Sequence, residues 1–179
     1  MPLKKPQHFH VFSYGSNMLI DRIKNRVSTV EPVGLYELRG FELVFNKAGK
    51  DGSAKANMRP SHNSSTVHGV IQRFDLQQKP LLDEAEGLGR GYELMSFKTV
   101  LGNRNSEVHY YIARDSKYLT KRVPFDWYWD YVYYGALENQ LPDFHLETIK
   151  EVPFVIDQNI QRRKHHDTVL EDHRRAYSF

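Results

Sequence analysis

Asp83, Glu84 and Glu86 place three carboxylates within four residues. On a helix that advances about 100° per residue they cannot share one environment. Leu81, Leu82 and Ala85 mark the expected inward face, so Glu84 points away from it. Glu86 falls at its edge, directly before Gly87. A half-buried carboxylate loses hydration, its pKa rises, and it becomes a better proton acceptor and donor near neutral pH. A second candidate is the stretch Phe12-Ser13-Tyr14-Gly15-Ser16-Asn17-Met18, where an apolar strand runs through one glycine into an amphipathic run over residues 19–27. Such a junction exposes first-turn amides at the positive end of a helix dipole. Those amides suit a carboxylate, a phosphate or a developing oxyanion.

Other chemistries find less support. Ser16 lacks a neighbouring base and the flanking glycines of a nucleophile elbow. His8, His10, His165, His166 and His173 have no metal-site spacing, so no metal is expected, and no multi-glycine phosphate loop implies a nucleotide. The chain has no cysteine, which excludes thiolate catalysis, disulfides and Cys-based zinc sites. A net charge of +3 is too small for a dedicated nucleic-acid binder, whose partner would need a dense basic stripe.

The elements that must position these residues follow from periodicity. At 179 residues the chain suits one domain with a tail. Leu19, Ile23 and Val27 recur at helical spacing behind the glycine turn. Strands are expected over 41–45, 56–60, 67–74, 92–100 and 108–113, with a mixed segment over 30–38 and a polar, mobile rim over 46–55. Pro80 opens the short helix that ends at Gly87. The aromatic run over 125–134 reads as a buried packing helix closed by Gly135, and 144–152 as a further helix. Residues 158–179 read as an exposed, partly basic helix or arm, a surface through which copies of the chain could associate as a homo-oligomer.

No stretch reaches the roughly 18 consecutive apolar residues of a membrane span, and the first residues lack the apolar core of a signal peptide. A cytoplasmic location with no membrane partner is therefore expected. The glycosylation pattern Asn63-Ser64-Ser65 is set aside for the same reason.

Phe12-Ser13-Tyr14-Gly15-Ser16-Asn17-Met18 resembles the F-x-YGSN-[LM] signature of the gamma-glutamylcyclotransferase (AIG2-like) family. Leu82-Asp83-Glu84-Ala85-Glu86-Gly87 resembles its LD-x-x-EG segment. Further similarities are Ala56-Asn57, then Val67-His68-Gly69-Val70, and Gly135-Ala136-Leu137-Glu138-Asn139-Gln140-Leu141-Pro142, which is similar to the family's GA-x-EN-x-LP. The resemblance spans residues 8–152 and leaves 153–179 as a C-terminal extension. It implies an α+β fold, a small mixed β-barrel flanked by helices. It also implies an enzyme that cyclises a gamma-glutamyl amino acid or amine to 5-oxoproline without a cofactor. Glu86 takes the catalytic position, as base and then acid. Tyr14, Gly15, Ser16 and Asn17 form the substrate-binding loop, Tyr92 and Tyr111 line the pocket, and Arg59 and Arg90 are positional candidates for the substrate carboxylate. A binding protein of the same fold without turnover is the alternative.

Overall fold

In the computed structural model, which describes residues 7–62 and 65–177, the chain is built around one central strand. That strand, β1 (His8–Ser13), pairs antiparallel with β5 (Thr66–Asp75) and parallel with β7 (Arg104–Ile112) at Val11↔His109. β2 (Glu31–Arg39) adds to β5 and β6 (Glu93–Leu101) to β7, which gives the mixed order β2-β5-β1-β7-β6. Because successive side chains alternate across a strand, Phe9 and Val11 enter one apolar cluster while Phe12 and Tyr14 enter the other. Both faces of β1 are thus covered, which is why its apolar residues Phe9, Val11 and Phe12 fall on both sides of the strand.

A second sheet is the hairpin β3 (Phe41–Ala48) and β4 (Ala54–Pro60). Asn57 ties it to the end of β7, donating from Nδ2 to the Ala113 carbonyl and accepting the Ala113 amide at Oδ1, each at 2.9 Å. The curled sheet and this hairpin make the wall of the small barrel. Strand therefore takes residues 46–48 and 54–55, half of the stretch where a polar rim was expected, and a tight turn at residues 49–53 separates β3 from β4. Lys55 and Ser53 both bond the Asp51 carboxylate and hold that turn. The segment over residues 30–38 is likewise a strand. Residues 63 and 64 of the glycosylation pattern lie outside the described residues.

Among the described residues, five α-helices pack on this framework. α1 (Ile20–Lys24) is shorter than its apolar spacing implies, yet Leu19, Ile23 and Val27 are all buried. α2 (Lys79–Glu86) buries only Leu82; Leu81 and Ala85, read as inward-facing, are exposed. A two-turn helix touches its neighbours along one narrow line, so one large apolar side chain seats it. α3 (Asp126–Glu138) is the packing helix expected from its aromatic run, with Trp127, Tyr128, Tyr131 and Val132 buried. Gly135 does not close it. The helix continues through Gly135, and glycine stands there because a Cβ would lie 2.7 Å from the Leu19 amide nitrogen and 2.9 Å from the Met18 Cβ.

α4 (Asp143–Lys150) follows Pro142, and α5 (Ile160–Ala176) is more than a solvated arm. It lays His166 and Leu170 against α3, and Arg174 pairs with Asp130 of α3 at 2.6 Å. Among the described residues no helix is long and apolar enough to cross a membrane.

Candidate active site

The glycine turn after β1 places three amides between two hydrogen-bonded structures. The β1 ladder ends at Ser13↔Val70, and the first bond of the following 3-10 turn runs from the Met18 amide to the Gly15 carbonyl. The amides of Gly15, Ser16 and Asn17 fall between them, at the start of a helical turn where no intrahelical acceptor exists. β5 holds the loop from behind: Ser13 Oγ donates to Gln72 Oε1 at 2.7 Å, and Gln72 Nε2 donates to the Asn17 carbonyl at 2.9 Å. In front, Gly15 abuts β4 so closely that a Cβ would meet the Ala56 Cβ at 2.9 Å. Only glycine fits there without displacing the hairpin.

Glu86 arrives from the opposite side as the last residue of α2. Gly87 takes the left-handed conformation, φ +66°, and its amide bonds back to the Asp83 and Glu84 carbonyls. Glycine adopts that conformation without the Cβ penalty, so the helix stops where Glu86 meets the loop. The Glu86 side chain is 12% exposed. Its Oε1 accepts a hydrogen bond from Asn17 Nδ2 at 2.8 Å and pairs with Arg26 Nη1, which also donates to Asn17 Oδ1 at 2.9 Å. A guanidinium and an amide thereby replace the water this carboxylate has lost. Glu84 is exposed, as its place on α2 implied.

Four tyrosines close the pocket, and their hydroxyl protons have main-chain or carboxylate acceptors in three cases. Tyr14 donates to the Tyr111 carbonyl at 2.6 Å, Tyr92 to the Ala56 carbonyl at 2.5 Å, and Tyr111 to Asp83 Oδ1 at 2.6 Å. The Tyr128 hydroxyl accepts the Ala56 amide at 3.0 Å and lies in hydrogen-bonding contact with Ser16. Burial pushes all four phenols above their ordinary pKa, so each stays protonated at neutral pH. They shape the pocket with their rings rather than act as bases.

The structure brings Tyr14, Gly15, Ser16, Asn17, Glu86, Tyr92 and Tyr111 to one inner pocket of about 40 Å³. It opens, past Ser16, Glu86, Tyr92 and Tyr128, into a cleft of about 440 Å³. Arg90 lines that cleft, whereas Arg59 is exposed and pairs with Glu42 at 2.6 Å. Sequence reasoning missed Arg26 and Tyr128. The signal for Arg26 was present: Arg22 and Arg26 each precede a buried residue, Ile23 and Val27, and so share the face beside the core. Tyr128 was hidden in a run where nearly every side chain is aromatic.

Comparison with known proteins bears on the fold and the family. A solved structure named Gamma-glutamyl cyclotransferase superposes with a TM-score of 0.75 at 22% identity, covering 92% of this chain and 99% of its own. An uncharacterized protein from Homo sapiens gives 0.74 at 22% identity, covering 88% and 98%. YkqA from Bacillus subtilis gives 0.66 at 20% identity, covering 84% of this chain and 57% of its own. At these identities the likeness is one of fold, which is the α+β barrel with flanking helices. No curated protein sequence matches the chain. The family model for gamma-glutamyl cyclotransferase, AIG2-like, matches residues 11–130, a span that contains the glycine turn, the hairpin and α2. The chain belongs to the gamma-glutamyl cyclotransferase, AIG2-like family.

Proposed function

We propose that this protein is a cytoplasmic enzyme that cyclises a gamma-glutamyl amino acid or amine to 5-oxoproline and releases the amine. The observation that carries this reading is the meeting of Glu86 with the Gly15–Asn17 turn in one pocket. The substrate's α-nitrogen attacks its own γ-carbonyl carbon, forming the lactam C–N bond, and the bond from that carbon to the leaving nitrogen breaks. Attack within one molecule needs the chain folded, and a tight pocket supplies that constraint.

Glu86 accepts a proton from the α-ammonium; the attacking nitrogen sheds a second as the lactam N–H forms, and the leaving nitrogen takes up both and departs as an ammonium. Asn17 and Arg26 both bond Oε1, which leaves Oε2 for the proton. The loop amides stabilise the oxygen that turns negative during attack. Ser16 serves as a loop donor. Asn17, carried over from the family pattern as a substrate-binding residue, also orients Glu86 through its side chain.

The test is an assay for 5-oxoproline on a panel of gamma-glutamyl dipeptides and amines. We expect turnover by the wild type and a loss of about a thousandfold in Glu86→Gln, which keeps the shape of the side chain and removes the base. Absence of product across the panel would support the alternative, a binding protein of the same fold. Turnover that survives Glu86→Gln would remove Glu86 from the mechanism.

A further inference from the structure

The cleft outside Glu86 holds more positive charge than a glutamyl group requires. Three of its cations have partners: Arg26 with Glu86, Lys55 with Asp51 at 2.6 Å, and Arg162 with Asp157 at 2.5 Å. Four more line it, Arg22, Lys47, Lys50 and Arg90, and among the described residues none of these four is ion-paired. Against them stands Glu84, exposed at the rim. A glutamyl end brings one α-carboxylate and one α-ammonium, which cancel, so the excess must be met by the other end of the ligand.

Two of the four cations are held in place before any ligand arrives. The Arg22 guanidinium packs 4.6 Å from the Tyr131 ring centroid, and its Nε is buried without a hydrogen-bond partner. Lys47 Nζ lies 4.9 Å over the Tyr92 ring, on the same tyrosine that closes the inner pocket. Lys55 lies 4.4 Å over the Tyr128 ring. Like charges gathered on a partly desolvated aromatic floor repel one another, and an anion entering between them relieves that repulsion.

We propose that the leaving amine of the natural substrate is dianionic, bringing two negative charges, on two carboxylates or one phosphate, that the Arg22, Lys47, Lys50 and Arg90 cleft receives. This rests on the cyclisation reading above, since it assigns the inner pocket to the glutamyl end. An acidic amino acid and a phosphorylated amine both meet the requirement. In either case the acidic groups leave unchanged with the amine, and only the amide bond breaks.

Four donors with a common glutamyl end test it: gamma-glutamylglutamate, gamma-glutamyl-O-phosphoethanolamine, gamma-glutamylalanine and gamma-glutamylalaninamide. At low salt the better dianion should exceed the alanine donor in kcat/KM by about fivefold and the alaninamide donor by about thirtyfold, with the preference shrinking as salt is added. Whichever dianion is faster identifies carboxylate or phosphate as the source. Lys47→Gln combined with Lys50→Gln should reduce the ratio of dianion to amide to about threefold or less. Equal kcat/KM for the dianions and the amide, or faster turnover of the amide, overturns the proposal.

Calorimetric titration of the same four compounds onto Glu86→Gln and wild-type protein separates the two readings. Dianion-selective binding without turnover by the wild type defeats cyclisation and keeps the cleft assignment. Turnover without charge preference does the reverse.

Discussion

Arg26 is the residue that most changes the chemistry of the site. A carboxylate at the end of a short helix is ordinary; one held at Oε1 by both a guanidinium and an amide is oriented. Arg26 touches Glu86 and Asn17, so it acts by positioning. Its removal leaves two buried polar groups short of a partner, a loss typical of charged hydrogen bonds, and Arg26→Gln should lower kcat by about ten- to a hundredfold. Arg26→Lys keeps the charge but not the fork that reaches both neighbours, and should recover part of that loss. Steady-state kinetics on the two variants, with thermal melts to monitor folding, checks this. Equal rates for wild type and Arg26→Gln would show that Glu86 needs no such support.

At the scale of elements, two glycines govern how the site is assembled, for different reasons. Gly87 sits at φ +66° with open space where a Cβ would point, so Gly87→Ala meets backbone strain alone. That strain costs about 1 kcal/mol, which for a chain of this size lowers Tm by about 2–4 °C. Because the strained residue follows Glu86, activity should fall more than stability implies.

Gly135 poses the opposite problem. Its helical backbone is relaxed, but a Cβ would press on the Leu19 amide nitrogen at 2.7 Å and on Met18. Gly135→Ala should destabilise by about 1–3 kcal/mol, the range for overpacking, by pushing α3 from the glycine turn. Denaturant melts of the two variants distinguish the effects, with the larger drop in midpoint expected for Gly135→Ala.

For the molecule as a whole, two buried histidines set an acid limit. Burial, with the His68 charge opposite, lowers His145 from 6.5 to about 4; burial, with Arg22, His165 and Lys55 nearby, lowers His166 from 6.5 to about 3. Well above pH 6.5 both are neutral folded and unfolded, and there they make stability no function of pH. As pH falls from there toward the folded values, the unfolded chain takes up protons that the folded chain refuses, so stability drops. The combined loss by pH 4 is on the order of several kcal/mol. Asp157, whose carboxyl the Arg162 guanidinium holds well below the usual range, adds a second loss at lower pH as it protonates. Urea midpoints measured from pH 7 to pH 4 should decline steadily. His166→Phe, which preserves the stack on Trp127, should flatten part of the slope.

The sequence by itself determined the parts of this protein whose cause is local. Gly15 and Gly87 punctuate their elements because turn and cap need glycine, Pro80 opens α2, and the spacing of Leu19, Ile23 and Val27 names a buried face. The separation of Glu84 from Glu86 followed from the pitch of one helix. Tertiary structure decided what depends on neighbours far along the chain. Asn17 and Glu86 meet because β1 and α2 converge, and the bond between their side chains spans 69 positions. Residues 46–55 looked like a loop because their strand pairing is with each other across a tight turn, with few apolar side chains to announce it. Gly135 looked like a stop because its role, admitting the glycine turn against α3, lies outside its own helix. The cationic cleft was likewise invisible, since Arg22, Lys47 and Arg90 are ordinary surface types until α1, β3 and the turn after α2 enclose one space.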